Sequence, residues 1–232
     1  MQQGETSPDV AAVTRAAAAL GRELSPAQAE VLAGYLTVLT RFRRKINLVG
    51  PADWPTMLET LVADSWHLAD FLAGPAAAFL PAGDAPVVGL DFGAGAGLPG
   101  IPLRAFYDRG PYYLLESREK RCVFLAEAVA RLGLAGGLRV APGRVERTVP
   151  PILAAHPGAF MLCLGRAFAP WPQFLSLCRE LVRAPMAVAA MTGEAPTQAQ
   201  TPPGFSLAAA ASYAVAGKTR YVSLFSCCVA TM

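Results

Sequence analysis

The chain has 232 residues, enough for one large domain or one domain with an extension. Hydrophobic residues make up 53% and charged residues 16%, which excludes a disordered chain, and Gly (21) with Pro (20) stays below the low-complexity range. A net charge of +3 permits contact with nucleic acid without arguing for it.

A mean hydropathy of +0.36 raises the question of a membrane protein. The longest uncharged run, Ala195–Gly217, holds Pro196, Pro202 and Pro203, and Thr148–Gly165 holds Pro150, Pro151 and Pro157, so neither suits a spanning helix. The first ten residues carry Glu5 and Asp9 and no basic start, unlike a signal peptide. The expectation is a soluble, cytoplasmic protein that works as a monomer. Five cysteines, Cys122, Cys163, Cys178, Cys227 and Cys228, form no C-x-x-C pair. With only His67 and His156 beside them, they predict packed thiols and no metal site.

In chain order, the alanine-rich stretch 8–20 predicts a first helix. Ser25, Pro26 and Gln28 have capping-box spacing and open a second helix to about Ile46, with an apolar stripe through Leu32, Tyr35, Leu36 and Leu39. Asp53 caps a third helix over 53–73. A Gly/Pro/Ala-rich connection follows to Pro86, and strand–helix alternation begins. Strands are expected at Val87–Asp91, Tyr112–Glu116, Leu138–Ala141, Phe160–Leu164 and Met186–Met191. The helices between them are expected from the glycines to Tyr107, then at Arg118–Leu132, Val145–Leu153 and Pro172–Val182, with a closing strand pair at Ser206–Val215 and Thr219–Val229. The fold class is α/β, a parallel doubly wound sheet with helices on both faces and a helical front.

The most informative stretch is LDFGAGAGLPG, residues 90–100. Its glycines, Gly93, Gly95 and Gly97, allow a tight turn and close approach of a ligand to the backbone, beyond the carboxyl end of a strand. The dinucleotide pattern G-x-G-x-x-G demands glycine where Leu98 stands, and Pro99 and Pro102 lack the N–H groups that a pyrophosphate uses. Both features favour a nucleoside without phosphates, such as S-adenosylmethionine, over NAD. Glu116, about 20 positions on and at the tip of the next strand, suits the ribose hydroxyls.

LDFGAGAGLPGIPLRAFY, YLLESREKRCVFL, GRVE and GRAF, with RRKINLVG and ADSWHL upstream, resemble the bacterial 16S rRNA guanine-N7 methyltransferase G family (RsmG or GidB). The resemblance runs over roughly residues 25–230. It implies a Rossmann-like, class I S-adenosylmethionine-dependent methyltransferase fold over 75–232, an N-terminal helical extension over 1–74, and the two as one compact unit. It also implies S-adenosylmethionine as cofactor and small-subunit rRNA, free or in an assembling subunit, as partner. Carried over residue by residue, Gly93 and Leu98 line the methionine end, Glu116 holds the ribose, Val145 and Glu146 flank the adenine, and Arg166 is a pocket arginine. Three departures bear on RNA affinity and turnover. Met161 stands where the family has Asp, Thr192 where it has Lys, and Leu61 where it has His.

Guanine N7 is a bare lone pair, so its methylation needs no general base, and catalysis is alignment of N7 with the sulfonium methyl. No catalytic side chain is therefore expected beyond Arg166 as a positioning group. Arg41, Arg43, Arg44 and Lys45 at a helix end, and Arg118, Lys120 and Arg121 at a helix start, are the expected RNA contacts. A helix end can equally carry such charge as a solvated face. Asp64 reads as a cap or ion-pair partner, His67 and the three tryptophans as packing residues, and Arg166 as either a pocket or a structural arginine. Two other functions stay open: a small-molecule methyltransferase, or a cofactor-binding RNA-associated factor that does not methylate.

Overall fold

The computed structural model describes residues 7–43, 45–83 and 85–227; Arg44, Cys228 and Val229 lie outside them. Helix α1 (Val10–Ala19) starts where the Asp9 carboxylate accepts from Ala12 N–H at 2.7 Å. Helix α2 (Pro26–Arg43) opens on the capping box: Gln28 N–H donates to Ser25 Oγ at 3.3 Å and Ser25 N–H to Gln28 Oε1 at 2.9 Å. The Asp53 carboxylate caps α3 (Trp54–Met57) through Thr56 N–H at 2.9 Å.

The third helix runs unbroken from Trp54 to Ala73 but is not α-helical throughout. A π turn, Leu58–Val62, lies between α3 and α4 (Ala63–Ala73), and Ala63 N–H reaches back to Leu58 C=O. An i→i−5 turn shifts every later residue around the axis, which simple apolar spacing cannot reveal. Helix α4 is buried on most sides, and Asp64, Ser65 and Trp66 all lie inside.

Strands β1 (Val87–Phe92), β2 (Tyr112–Glu116), β3 (Leu138–Pro142), β4 (Phe160–Arg166) and β5 (Met186–Thr192) pair in parallel. Strands β6 (Phe205–Val215) and β7 (Lys218–Cys227) form an antiparallel hairpin, with β7 antiparallel to β5. The sheet order is β3-β2-β1-β4-β5-β7-β6, so the sheet is mixed rather than purely parallel. The short connection Ala216-Gly217 permits only antiparallel pairing of the last two strands.

The helix expected from the glycines to Tyr107 shrinks to one turn, α5 (Gly100–Leu103). Pro102 supplies no N–H, and the following residues tighten to i→i−3 bonds: Ala105 to Pro102 and Phe106 to Leu103. Helices α6 (Glu119–Arg131), α7 (Val145–Ala155) and α8 (Trp171–Leu181) complete the layers.

Alternate side chains of the strands feed two cores. Leu114, Leu162, Leu164 and Leu224 pack with α2, α4 and α6 on one face. Val88, Leu90, Phe92, Cys163 and Val188 pack with α7 and α8 on the other. The first of these cores is continuous with the N-terminal helices, which rest directly on the sheet. Strand order reverses between β1 and β4, so the crevice for a ligand opens there, at the carboxyl ends of the strands.

Candidate functional site

Gly93, Gly95 and Gly97 all take positive φ, +66°, +58° and +78°. A side chain on Gly97 would strike Ile101, and one on Gly93 the ring of Phe168. The loop is braced from behind. Tyr35 Oη donates to Ala96 C=O at 2.8 Å, Ala94 N–H to Leu115 C=O at 3.0 Å, and Ser65 Oγ to Pro99 C=O at 3.1 Å. Asp91, 1% exposed, accepts from Gly100 N–H at 3.1 Å and Tyr112 Oη at 3.3 Å on one carboxylate oxygen. Its other oxygen is buried without a partner, and burial pushes its pKa up to about 7.

Glu116 ends β2 beside this loop. One carboxylate oxygen accepts from Gly95 N–H at 2.9 Å and the other from Arg118 N–H at 2.8 Å. The Arg121 guanidinium lies 3.8 Å away. Each oxygen keeps a lone pair free, which suits the two hydroxyls of a ribose. A cavity of about 290 Å³ on one side is lined by Val49, Leu61, Gly95, Leu98, Arg121 and Arg166. A second, about 210 Å³, is lined by Gly93, Ser117, Arg144, Val145, Glu146 and Phe168. Gly93 borders both, so they lie side by side along the strand tips as a trough, with Phe168 set over that glycine. The trough suits a nucleoside better than a pyrophosphate. Pro99 and Pro102 offer no N–H, Gly100 N–H is taken by Asp91, and Ile101 N–H by Gly97 C=O at 2.7 Å. S-adenosylmethionine fits this donor set: Glu116 lies against the glycine loop, Leu98 and Arg166 line the first cavity, and Val145 and Glu146 line the second.

A third cavity, about 560 Å³, adjoins the first across Arg166 and Ala167, which line both. Its floor is an ionic cluster on Asp64. Arg166 Nη2 lies 3.3 Å from the carboxylate, Arg220 pairs with the same oxygen, and Tyr213 Oη donates to the other at 3.0 Å. Arg166 Nη1 also donates to Leu61 C=O at 3.1 Å, at the end of the π turn. Tyr213 stacks on His67 with ring centroids 4.4 Å apart. Burial and the Asp64 carboxylate raise the Tyr213 pKa, so its hydroxyl stays a donor, while burial lowers that of His67. Arg166 thus faces the cavities and carries an ion pair at once. Next to it Ala167 turns left-handed at φ +53° and sets Phe168 against Phe92 and Phe174, over Gly93.

The basic residues divide. Arg41 is 3.5 Å from Glu127, Arg43 donates to Ala52 C=O at 2.7 Å, and Lys45 sits over the Phe42 ring. Arg44 lies outside the described residues. Arg118 and Lys120 are exposed at the start of α6, whereas Arg121 turns inward to Glu116. Of the three departures, Met161 lies at the amino end of β4, paired with Val88 and Met186 in the core and away from the crevice. Thr192 lines the large cavity, and Leu61 contributes its carbonyl to Arg166. Sequence reasoning missed Phe168, Tyr213 and Arg220 as site residues. The last two arrive from the final hairpin and carry no local motif. Among the described residues no group of His, Cys, Asp and Glu could hold a metal, and no helix is long and apolar enough to cross a membrane.

A family model described as GidB, rRNA small subunit methyltransferase G, matches residues 28–209. Ribosomal RNA small subunit methyltransferase G of Nitratidesulfovibrio vulgaris (strain DP4) is 41% identical over 201 residues, covering 87% of this chain and 86% of that protein. The protein of the same description from Oleidesulfovibrio alaskensis is 38% identical over 214 residues, covering 87% of each. Among solved structures, the O-methyltransferase TomG from Streptomyces achromogenes, in complex with SAM, superposes with a TM-score of 0.54 at 15% identity, covering 83% of this chain and 89% of that one. The METTL16 MTase domain gives 0.51 at 15% identity, covering 86% and 80%. These two likenesses bear on the fold and agree with a Rossmann-like class I methyltransferase sheet. With its family model spanning most of the length and its relatives matched nearly end to end, the chain belongs to the rRNA small subunit methyltransferase G (GidB) family.

Proposed function

We propose that this protein transfers a methyl group from S-adenosylmethionine to N7 of a guanine in 16S ribosomal RNA. The observation that carries the reading is a trough beside the glycine loop and Glu116 that meets, at Arg166 and Ala167, a larger cavity with room for a base. The bound cofactor supplies an electrophilic sulfonium methyl. Glu116 fixes the ribose end, and the glycine loop holds its shape through Tyr35, Ser65 and Asp91. Arg166 stands at the junction, where donor and acceptor must meet. N7 gives up no proton, so the described site needs no base, and its task is orientation and exclusion of water. The guanine enters unstacked from its neighbours.

Exposed Arg118 and Lys120 lie beside the trough and suit phosphate contact. An rRNA substrate supports a cytoplasmic location. The buried placement of Met161 removes one motive for a factor that binds cofactor without methylating. Two measurements test the reading. Calorimetry should give tighter binding of S-adenosylhomocysteine than of NAD. Nucleoside analysis of small-subunit rRNA should show 7-methylguanosine reduced by one residue when the gene is deleted; an unchanged count would sink the proposal.

A further inference from the structure

Asp64 is buried at 2% exposure on α4, yet its carboxylate serves three side chains from three different strands. One oxygen takes Arg166 and Arg220, and the other takes the Tyr213 hydroxyl. Two guanidinium groups share one buried carboxylate, so the cluster holds one positive charge beyond neutrality. Glu194, the other acidic residue lining this cavity, is exposed at its rim.

The geometry points to Asp64 as a positioning residue for methyl transfer, acting through Arg166. Arg166 and its neighbour Ala167 are common to the trough and the large cavity, and of the two only Arg166 brings a charged side chain there. Its orientation is set from one side only. Nη2 meets Asp64 at 3.3 Å and Nη1 meets the Leu61 carbonyl at 3.1 Å, both on the helical front of the chain. These contacts engage two of the five N–H groups of a planar fork that lines both cavities, so its plane is fixed where the cavities meet. Arg220 competes for the same carboxylate oxygen and prevents Asp64 from neutralising Arg166 fully. A group oriented in this way contributes through alignment, where small displacements cost large factors in rate. A plain structural tie between α4 and the hairpin needs neither the shared oxygen nor the position at the junction.

The inference rests on the methyl-transfer reading, and a mutant cycle separates the two. Wild type, Asp64→Asn, Arg166→Lys and the double variant are compared by steady-state methylation of small-subunit RNA, below all their melting temperatures. Asp64→Asn should lower kcat at least tenfold while KM for RNA changes less than threefold. The double variant should fall within twofold of the weaker single variant, because both substitutions disturb one arrangement. A loss in kcat below tenfold, or losses that multiply in the double variant, would overturn the proposal. Wild type that moves no methyl group would instead defeat the functional reading itself. Independently of turnover, nitrogen NMR of the Arg166 guanidinium should show separate Nη signals in wild type and averaged ones in Asp64→Asn; identical spectra would also overturn it. Should Asp64→Asn fail to fold, Asp64→Glu keeps the charge but displaces the carboxylate by one methylene, and the same criteria apply.

Discussion

The Tyr35 hydroxyl, on the second helix of the N-terminal part, donates to the Ala96 carbonyl inside the glycine loop at 2.8 Å. The helical front therefore braces the glycine loop from behind, and its Val49 and Leu61 line the adjoining cavity. Burial raises the Tyr35 pKa, so the hydroxyl remains a donor across the accessible pH range. Tyr35→Phe leaves the Ala96 carbonyl without this partner, at a cost of about 1–3 kcal/mol. Denaturant melts should show the loss, and S-adenosylhomocysteine binding should weaken in parallel as the loop loosens.

Two glycines of the loop should behave differently. A side chain on Gly97 meets Ile101, whereas one on Gly95 has only Gly93 O at 3.6 Å and Arg121 Nη1 at 3.7 Å nearby. Both positions have positive φ, so both alanine variants carry roughly 1–2 kcal/mol of backbone strain. Gly97→Ala should lose further stability through the clash. Gly95→Ala should melt closer to wild type yet bind S-adenosylhomocysteine poorly, because its methyl enters the ligand's space. Equal binding by Gly95→Ala and wild type would remove this loop from the site.

Salt dependence will sort the basic residues. Arg118→Ala with Lys120→Ala should weaken RNA binding and flatten the slope of affinity against salt by about 0.7–0.9 for each phosphate no longer neutralised. Arg41→Ala and Arg43→Ala should change the slope less, since Glu127 and the Ala52 carbonyl engage those side chains. Filter binding between low and moderate salt gives both slopes.

Asp91 makes stability depend on pH. Its folded pKa, about 7, lies above the ordinary carboxylate value of 3.8 because burial disfavours the charge. The folded state thus holds a proton that the unfolded chain releases. The stability this confers is fully present below pH 3.8 and is lost as pH rises through about 7. Asp91→Asn cannot titrate, so the difference in stability between wild type and variant should change across that window and level off above it. Urea melts at several pH values measure it.

Local chemistry was legible in the sequence where the partners stand a few residues apart. Ser25 with Gln28, Asp53 with Thr56, and the turn through Gly93, Gly95 and Gly97 all depend on short-range geometry. The strand-ending Glu116 closes on nearby Arg118 and, across the β1–β2 pairing, on Gly95 at a sequence separation of 21. The alternation of strands and helices after Pro86 marked the α/β architecture, and the glycines with Glu116 marked where its ligand crevice lies. The tertiary structure alone decided which charges meet. Asp64 and Arg220 are 156 residues apart and join because the final hairpin folds back beside β5. Arg121 turns to Glu116 instead of the solvent, and Arg41 to Glu127, according to how α6 is set against its neighbours. The π turn that places Asp64 inside is equally hidden, since one extra residue per turn leaves the apolar composition unchanged. Periodicity and caps are properties of neighbouring residues, whereas an ion pair between distant elements exists only once packing has brought both ends into the same low-dielectric space.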